Sequence, residues 1–234
     1  MAAPRTIGVL GGMGPEATIL FQSRMLGQIA AQDDADHVPL LIDMNPQVPS
    51  RIAHLIEKTG TDPGPVLAQM ATRLQAAGAE ALVMPCNTAH HYAAAITGAV
   101  DIPLIHLVDL ACDHAAEVLG PGGRVGLLAS PAVFHTGLYD AALGARGLEA
   151  VWPDSFGTLL ETIRVIKAGG DRDAAIAGLR SVSAEVSARG ADLQLIACSE
   201  FSIIAECLEG GPPVVDTIDL LAAAATAFSL ARQG

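Results

Sequence analysis

Two cysteines stand in matching surroundings. Met84-Pro85-Cys86-Asn87-Thr88 and Ile196-Ala197-Cys198-Ser199-Glu200 each follow a short apolar run and open onto polar residues. This pattern predicts a thiol at the carboxyl end of a strand, where the next helix begins. In open α/β sheets ligands collect at that end. A thiol at a helix N-terminus meets unpaired N–H groups and the positive end of the dipole, which can lower its pKa from about 8.5 to roughly 3.5–7.5. If two such turns face one bound molecule, a thiolate on one side and a thiol on the other can remove a proton from a tetrahedral carbon and return one to its opposite face. That is the proton balance of racemisation, with acid and base exchanging roles according to direction. The intermediate resembles an enediolate, so donors must be aimed at its carboxylate oxygens. Asn87, Thr88, Ser199 and the loop N–H groups are the candidates. No metal or pyridoxal is needed in principle, provided that the site itself activates the weakly acidic α-proton.

The elements that must hold these turns are written as alternating short β-rich and longer helical runs. Strands are expected at Thr6–Gly11, Pro39–Met44, Ala81–Pro85, Pro103–His106, Arg124–Ala129, Leu148–Trp152, Leu193–Ala197 and Pro213–Asp216. Helical stretches lie between most of them; Gln69–Ala77 and Ala174–Ala188 each end at a glycine suited to a C-cap. Such alternation means parallel sheets covered by helices. The chain also repeats itself. Ile7-Gly8-Val9-Leu10 recurs as Val125-Gly126-Leu127-Leu128, Gly78-Ala79-Glu80 as Gly190-Ala191-Asp192, and Pro103-Leu104-Ile105 as Pro213-Val214-Val215. The three pairs keep their order and spacing. The fold expected is therefore α/β with two pseudo-symmetric Rossmann-like domains, each a sheet of about four parallel strands. Residues 1–112 form the first, 113–216 the second, and the final helix, over 217–234, rejoins the first.

Composition removes several function classes. The net charge is −12 and the lysines are Lys58 and Lys167. An acidic surface repels phosphate backbones and anionic lipid, so neither nucleic acid nor membrane is expected as a partner. No leading segment reads as an export signal, and the apolar run Leu220–Ala231 is interrupted by Thr226 and Ser229; a cytoplasmic protein with reduced cysteines is expected. The cysteines form no CxxC pair, so no zinc or thioredoxin site is expected. Cys112 and Cys207, inside helical stretches, read as small core residues. Two rival signals exist. Cys86 with His90 could form a Cys–His nucleophilic pair, although a packing histidine suits this spacing better. Gly12-Met13-Gly14-Pro15-Glu16-Ala17 fits G-x-G-x-x-A, with Asp43 as a ribose-binding acid; a dinucleotide site would leave both cysteine turns unexplained.

Several longer segments resemble the aspartate/glutamate racemase family. They are Gly11-Gly12-Met13-Gly14-Pro15-Glu16-Ala17-Thr18, Pro46-Gln47-Val48-Pro49-Ser50-Arg51, Pro85-Cys86-Asn87-Thr88-Ala89-His90, Ile166-Lys167-Ala168-Gly169 and Cys198-Ser199-Glu200. The resemblance runs, in order, over nearly the whole chain. It implies two Rossmann-like domains, a homodimer, no cofactor, and a cleft for a small-molecule acidic amino acid. Cys86 and Cys198 would be the catalytic pair, and Arg51 and Lys167 the cations for the side-chain carboxylate. Met13, Gln47, Asn87, Thr88, Ser130, Ser199 and Glu200 would complete the substrate-binding set. Three positions depart from the family pattern. Ala197-Cys198-Ser199-Glu200 stands for Gly-Cys-Thr-Glu, Ser130-Pro131-Ala132-Val133 for Thr-x-Gly-Thr, and Ile163 for a tyrosine common in aspartate-specific members. These changes spare the thiols and bear on substrate choice. They leave open another anionic amino acid such as cysteate, or a homologue that binds an amino acid without turning it over.

Overall fold

A computed structural model describes residues 3–231. The chain forms two compact units, one of residues 1–107 and 218–234, the other of residues 108–217. In the first, β1 (Ile7–Gly11) lies between β2 (Leu40–Met44) and β3 (Ala81–Val83), all parallel. Helices α1 (Pro15–Gly27), α2 (Gly64–Ala76) and the short α3 (Ala93–Thr97) belong to it. Helix α4 (Leu107–Leu119) leads into the second unit, where β4 (Arg124–Ala129), β5 (Glu149–Val151), β6 (Leu193–Ala197) and β7 (Val214–Asp216) form a parallel sheet of order β5-β4-β6-β7. Helices α5 (Pro131–Thr136), α6 (Leu138–Gly144), α7 (Phe156–Lys167), α8 (Arg172–Ala188) and α9 (Ser199–Ser202) flank it, and α10 (Thr217–Leu230) carries the chain back. The fold is α/β with two parallel sheets, as the alternation predicts. Residues 232–234, the end of the expected final helix, lie outside the described residues. Among the described residues no helix is long and apolar enough to cross a membrane.

The sequence repeat has a mechanical meaning in each unit. Strands β1 and β4 are entirely or almost entirely buried, and each carries a glycine beneath a helix end. A Cβ on Gly8 would come within 2.8 Å of the Ala79 Cβ and 3.2 Å of the Leu74 Cβ; one on Gly126 would come within 3.0 Å of both the Ala191 Cβ and a Val186 methyl. The helices that reach these points end alike. Gly78 and Gly190 take φ of 103° and 85°, a region that favours glycine, and Ala79 and Ala191 donate back to the carbonyls of Leu74 and Val186. The acid that follows then grips the neighbouring strand twice. Glu80 N–H donates to Thr6 C=O at 2.8 Å while its carboxylate accepts from Thr6 N–H at 2.9 Å; Asp192 does the same with Arg124 at 2.7 and 2.9 Å.

The sheets differ in width. The second has four strands. The first has three, and the expected strand Pro103–His106 contributes only a parallel bridge, Leu82 to Leu104. Strand β6 runs on through Ala197, which pairs with Ala129 of β4; at the corresponding place after β3, Pro85 has no N–H to give to β1. Strand β3 stops at Val83, and Cys86 N–H turns to the Met84 carbonyl at 2.7 Å, which leaves His106 without the pairing that Asp216 makes with Ile196.

Because Gly8 lies under a helix end, Gly8→Ala should destabilise the protein by about 1–3 kcal/mol, the usual cost of forcing one extra carbon into a packed core. Gly27→Ala is the control. It sits in α1 with nothing within 4 Å of the new Cβ, and should be neutral or slightly stabilising. Urea unfolding of both variants measures the difference.

Candidate active site

In each unit most of the predicted residues follow the carboxyl end of a parallel strand; Lys167 instead ends α7. In the first, the loop after β1 holds Met13, the loop after β2 holds Gln47 and Arg51, and the turn after β3 holds Cys86, Asn87 and Thr88. The first loop lies against the second. Gly12 has φ of 92°, a Cβ there would fall 2.4 Å from the Asn45 backbone, and Asn45 N–H reaches the Gly11 carbonyl at 3.3 Å. Thr18 closes the loop, accepting from Gly12 N–H at 3.0 Å and donating to the Gly14 carbonyl at 3.1 Å. Met13 is buried and Gln47 exposed. The Arg51 guanidinium folds onto its own loop, donating to the carbonyls of Val48 and Pro49 at 3.2 and 2.8 Å. Asp43, the acid a ribose would need, is held by Arg73 through contacts of 2.6 and 3.1 Å.

Cys86 and Asn87 are both buried, and Thr88 opens a 3-10 turn, Thr88–Tyr92, in place of the helix expected there. Within that turn His90 has both ring nitrogens committed to main chain. Leu107 N–H donates to Nε2 at 3.1 Å, so Nε2 is unprotonated and Nδ1–H donates to the Cys86 carbonyl at 2.9 Å. His90 thus ties the Cys86 turn to the start of α4. It is fully buried, and burial, followed by the neighbouring His106, pushes its pKa down to about 3. A neutral imidazole bound in this way is a scaffold, which favours the packing histidine over the Cys–His pair. Tyr92 and His54 were not singled out by sequence reasoning. The Tyr92 hydroxyl meets His54 Nδ1 at 2.7 Å, joining the Cys86 turn to the π-helical segment Ala53–Glu57 that follows Arg51. Neither position carries a motif signal.

In the second unit Ser130 and Cys198 are successive to Ala129 and Ala197, which pair across β4 and β6, so both stand at one edge. Ser130 caps α5, its side chain accepting from Val133 N–H. Cys198, Glu200 and Lys167 form a contact chain: Cys198 Sγ donates to Glu200 Oε2 at 3.2 Å, and Lys167 Nζ lies 3.1 Å from Glu200 Oε1. Ser199 is buried beside them, whereas Ile163 is core. The expected lowering of the thiol pKa does not hold for Cys198. Burial pushes it well above the ordinary value, Glu200 adds to this by its charge and by accepting the thiol proton, and Lys167 opposes it. The helix it caps, α9, has only four residues, too few for a strong dipole. Cys112 is also pushed up, to about 12, by burial. Among the described residues no group of three His, Cys, Asp or Glu side chains gathers as a metal site.

Comparison with known proteins bears on both units. The Asp/Glu/hydantoin racemase family matches residues 10–225. The broad specificity amino-acid racemase RacX of Bacillus subtilis (strain 168) is 25% identical over 235 residues, covering 97% of this chain and 99% of that protein. Among solved structures, the Picrophilus torridus aspartate racemase superposes with a TM-score of 0.80 at 26% identity, covering 94% of this chain and 92% of its own. Glutamate racemase isoform RacE1 of Bacillus anthracis superposes with a TM-score of 0.66 at 17% identity, covering 93% and 79%, a likeness of fold.

The His90 geometry fixes the sign of an acid effect. Its folded pKa, about 3, is below the unfolded value of about 6.5. The stability it contributes is fully present above about pH 6.5 and is lost as pH falls toward 3, because the unfolded chain takes up the proton first. His90→Gln should therefore lose less unfolding free energy than the wild type between pH 6.5 and 4. Equal slopes in chemical denaturation series would contradict this.

Proposed function

The chain belongs to the Asp/Glu/hydantoin racemase family, and from that premise we propose that it interconverts the enantiomers of an acidic amino acid, aspartate and/or glutamate, without a cofactor. Cys86 and Cys198 serve opposite faces of the α-carbon, one as thiolate base and one as thiol acid. The observation that carries this reading is the repeat: Cys86 follows β3 and Cys198 follows β6 at equivalent places in two similarly built units. Asn87, Thr88, Ser199 and adjacent N–H groups stabilise the enediolate. Arg51 and Lys167 supply positive charge for the side-chain carboxylate, and Met13, Gln47, Ser130 and Glu200 line the same edges. The protein works in the cytoplasm as a homodimer, with residues 1–112 and 217–234 acting as one domain and 113–216 as the other.

A second reading, a wider substrate range including anions such as cysteate, is favoured by two observations. The Bacillus subtilis relative is a broad specificity enzyme, and Lys167 here already has an internal carboxylate partner, Glu200. Chiral chromatography on a panel of L- and D-amino acids, with no cofactor added, separates the two. Turnover restricted to aspartate and glutamate supports the first, turnover across the panel supports the second, and binding without turnover leaves a non-catalytic homologue.

Cys86→Ala and Cys198→Ala should each abolish racemisation while the circular dichroism spectrum stays that of the wild type, since neither thiol reaches the other face. In D₂O the early product should carry deuterium at Cα while the remaining substrate gains little; equal early labelling of both, read by NMR, would sink the two-base division. Arg51→Leu should cut kcat/KM on acidic substrates about tenfold or more, because a charge-assisted hydrogen bond to a carboxylate is worth roughly 1.5–3 kcal/mol. An unchanged preference for acidic over neutral substrates would remove Arg51 from the site.

A further inference from the structure

One carboxylate in the second unit has its two oxygens committed to different neighbours. Glu200 Oε2 accepts the Cys198 thiol proton at 3.2 Å, and Glu200 Oε1 holds Lys167 Nζ at 3.1 Å. The Glu200 side chain is 9% exposed and that of Lys167 45%, so the contact runs from solvent inward to a buried sulfur. We propose that Glu200 is a positioning residue that keeps the proton on Cys198 in the resting protein, and that Lys167 sets the strength of this hold by acting through Glu200. The inference rests on the racemase reading for its use in catalysis, and on contacts alone for its chemistry.

The surroundings leave these two groups in charge. Cys198 belongs to an apolar cluster with Leu128, Leu159, Ile163, Phe201 and Ile204. Cys207 shares that cluster, and Arg180 of α8 is turned to the Cys207 carbonyl at 2.9 Å. Glu200, on the same turn as the sulfur, and Lys167, at the end of α7, are the charges that bear on the thiol. A carboxylate beside a thiol favours the protonated form, because the thiolate would face a like charge in a dry setting. An ammonium on the far oxygen draws charge away from the sulfur and relaxes that preference. No other species is consumed: the proton stays on Sγ until the thiol delivers it. The lysine thereby offers a substrate anion a handle on the acid. An anion that pulls Lys167 off Glu200 tightens the hold of Cys198 on its proton, and one that leaves it in place lets the thiol ionise more readily.

The test is the pH dependence of iodoacetamide alkylation at Cys198, resolved from the other cysteines by peptide mass spectrometry, on the full-length protein. Glu200→Gln should lower the midpoint by about one pH unit or more. Lys167→Met should raise it, Lys167→Arg should restore it, and the Lys167→Met shift should shrink by more than half in the Glu200→Gln background. A wild-type midpoint in Glu200→Gln, or in Lys167→Met, overturns the proposal. So does a Lys167→Met shift that survives undiminished in the double variant, which would mean that the lysine acts on the sulfur by its charge alone and not through Glu200. If Glu200→Gln fails to fold by circular dichroism, the exposed Lys167 pair of variants decides the matter alone. Alkylation needs no turnover, so absent racemisation with the shifts intact refutes the activity and spares this inference. Racemisation with unmoved midpoints does the reverse. Where turnover is present, the pH–kcat/KM limb should move with the alkylation midpoint.

Discussion

Both units depend on a helix end lying closer to a strand than a Cβ permits. At Gly8 and at Gly126 the missing side chain admits the alanine that follows a helix, Ala79 or Ala191, and the next residue, Glu80 or Asp192, fastens the new strand to the old one by two hydrogen bonds. The register of β3 on β1 and of β6 on β4 is set at that point. Since a parallel strand advances by a fixed rise per residue, setting the register at the start also sets where Cys86 and Cys198 emerge at the far edge. The chemistry at one end of each sheet is thus positioned by steric exclusion at the other.

Much of this was legible in the sequence. The repeats that contain Gly8 and Gly126, the Gly-Ala-acid triplets, and the cysteines that follow them are local patterns with local causes, and glycine ends marked α2 and α8. The width of the first sheet was not legible, because it turns on how the chain bends after Val83, where Cys86 N–H takes the Met84 carbonyl. The protonation of Cys198 was not legible either. Sequence placed the thiol at a helix start, a local fact, but its proton is governed by burial and by a lysine contributed by another helix, which only the assembled unit brings near. Arg51 is a similar case. Its place in the Pro46–Arg51 segment could be read, while the folding of its guanidinium onto the carbonyls of Val48 and Pro49 depends on the path of the loop.

The two units use one scaffold position for different chemistry. Four residues past each cysteine stands a side chain that meets the residue just before α4 or α10. In the first unit these are His90 and His106, stacked edge to face at 4.7 Å; in the second they are Ser202 and Asp216, joined by a hydrogen bond of 2.7 Å. Thr217 then donates to the Ile196 carbonyl at 2.8 Å, while Leu107 N–H donates to His90. Each pair pins a cysteine turn to the helix that follows the next strand. The first does so with a neutral buried imidazole, the second with a hydroxyl and an acid.

This divergence reaches the sulfurs and decides which effect governs Cys198. The favourable helix-terminus contribution is about 0.3–1 kcal/mol at an ordinary helix end, and less is expected from the four residues of α9. Against it stands Glu200 at 3.2 Å. A thiolate at that distance from a carboxylate would cost roughly 5 kcal/mol at an effective dielectric of about 20, and burial of the sulfur adds to that cost. Repulsion therefore wins by a wide margin unless a cation compensates, and Lys167 is the cation in place. Around Cys86 the arrangement is different: a buried amide, Asn87, and an uncharged imidazole bound to the cysteine's own carbonyl. Two turns built to the same plan thus surround their thiols with unlike neighbours, a carboxylate and its lysine at Cys198, an amide and a neutral imidazole at Cys86.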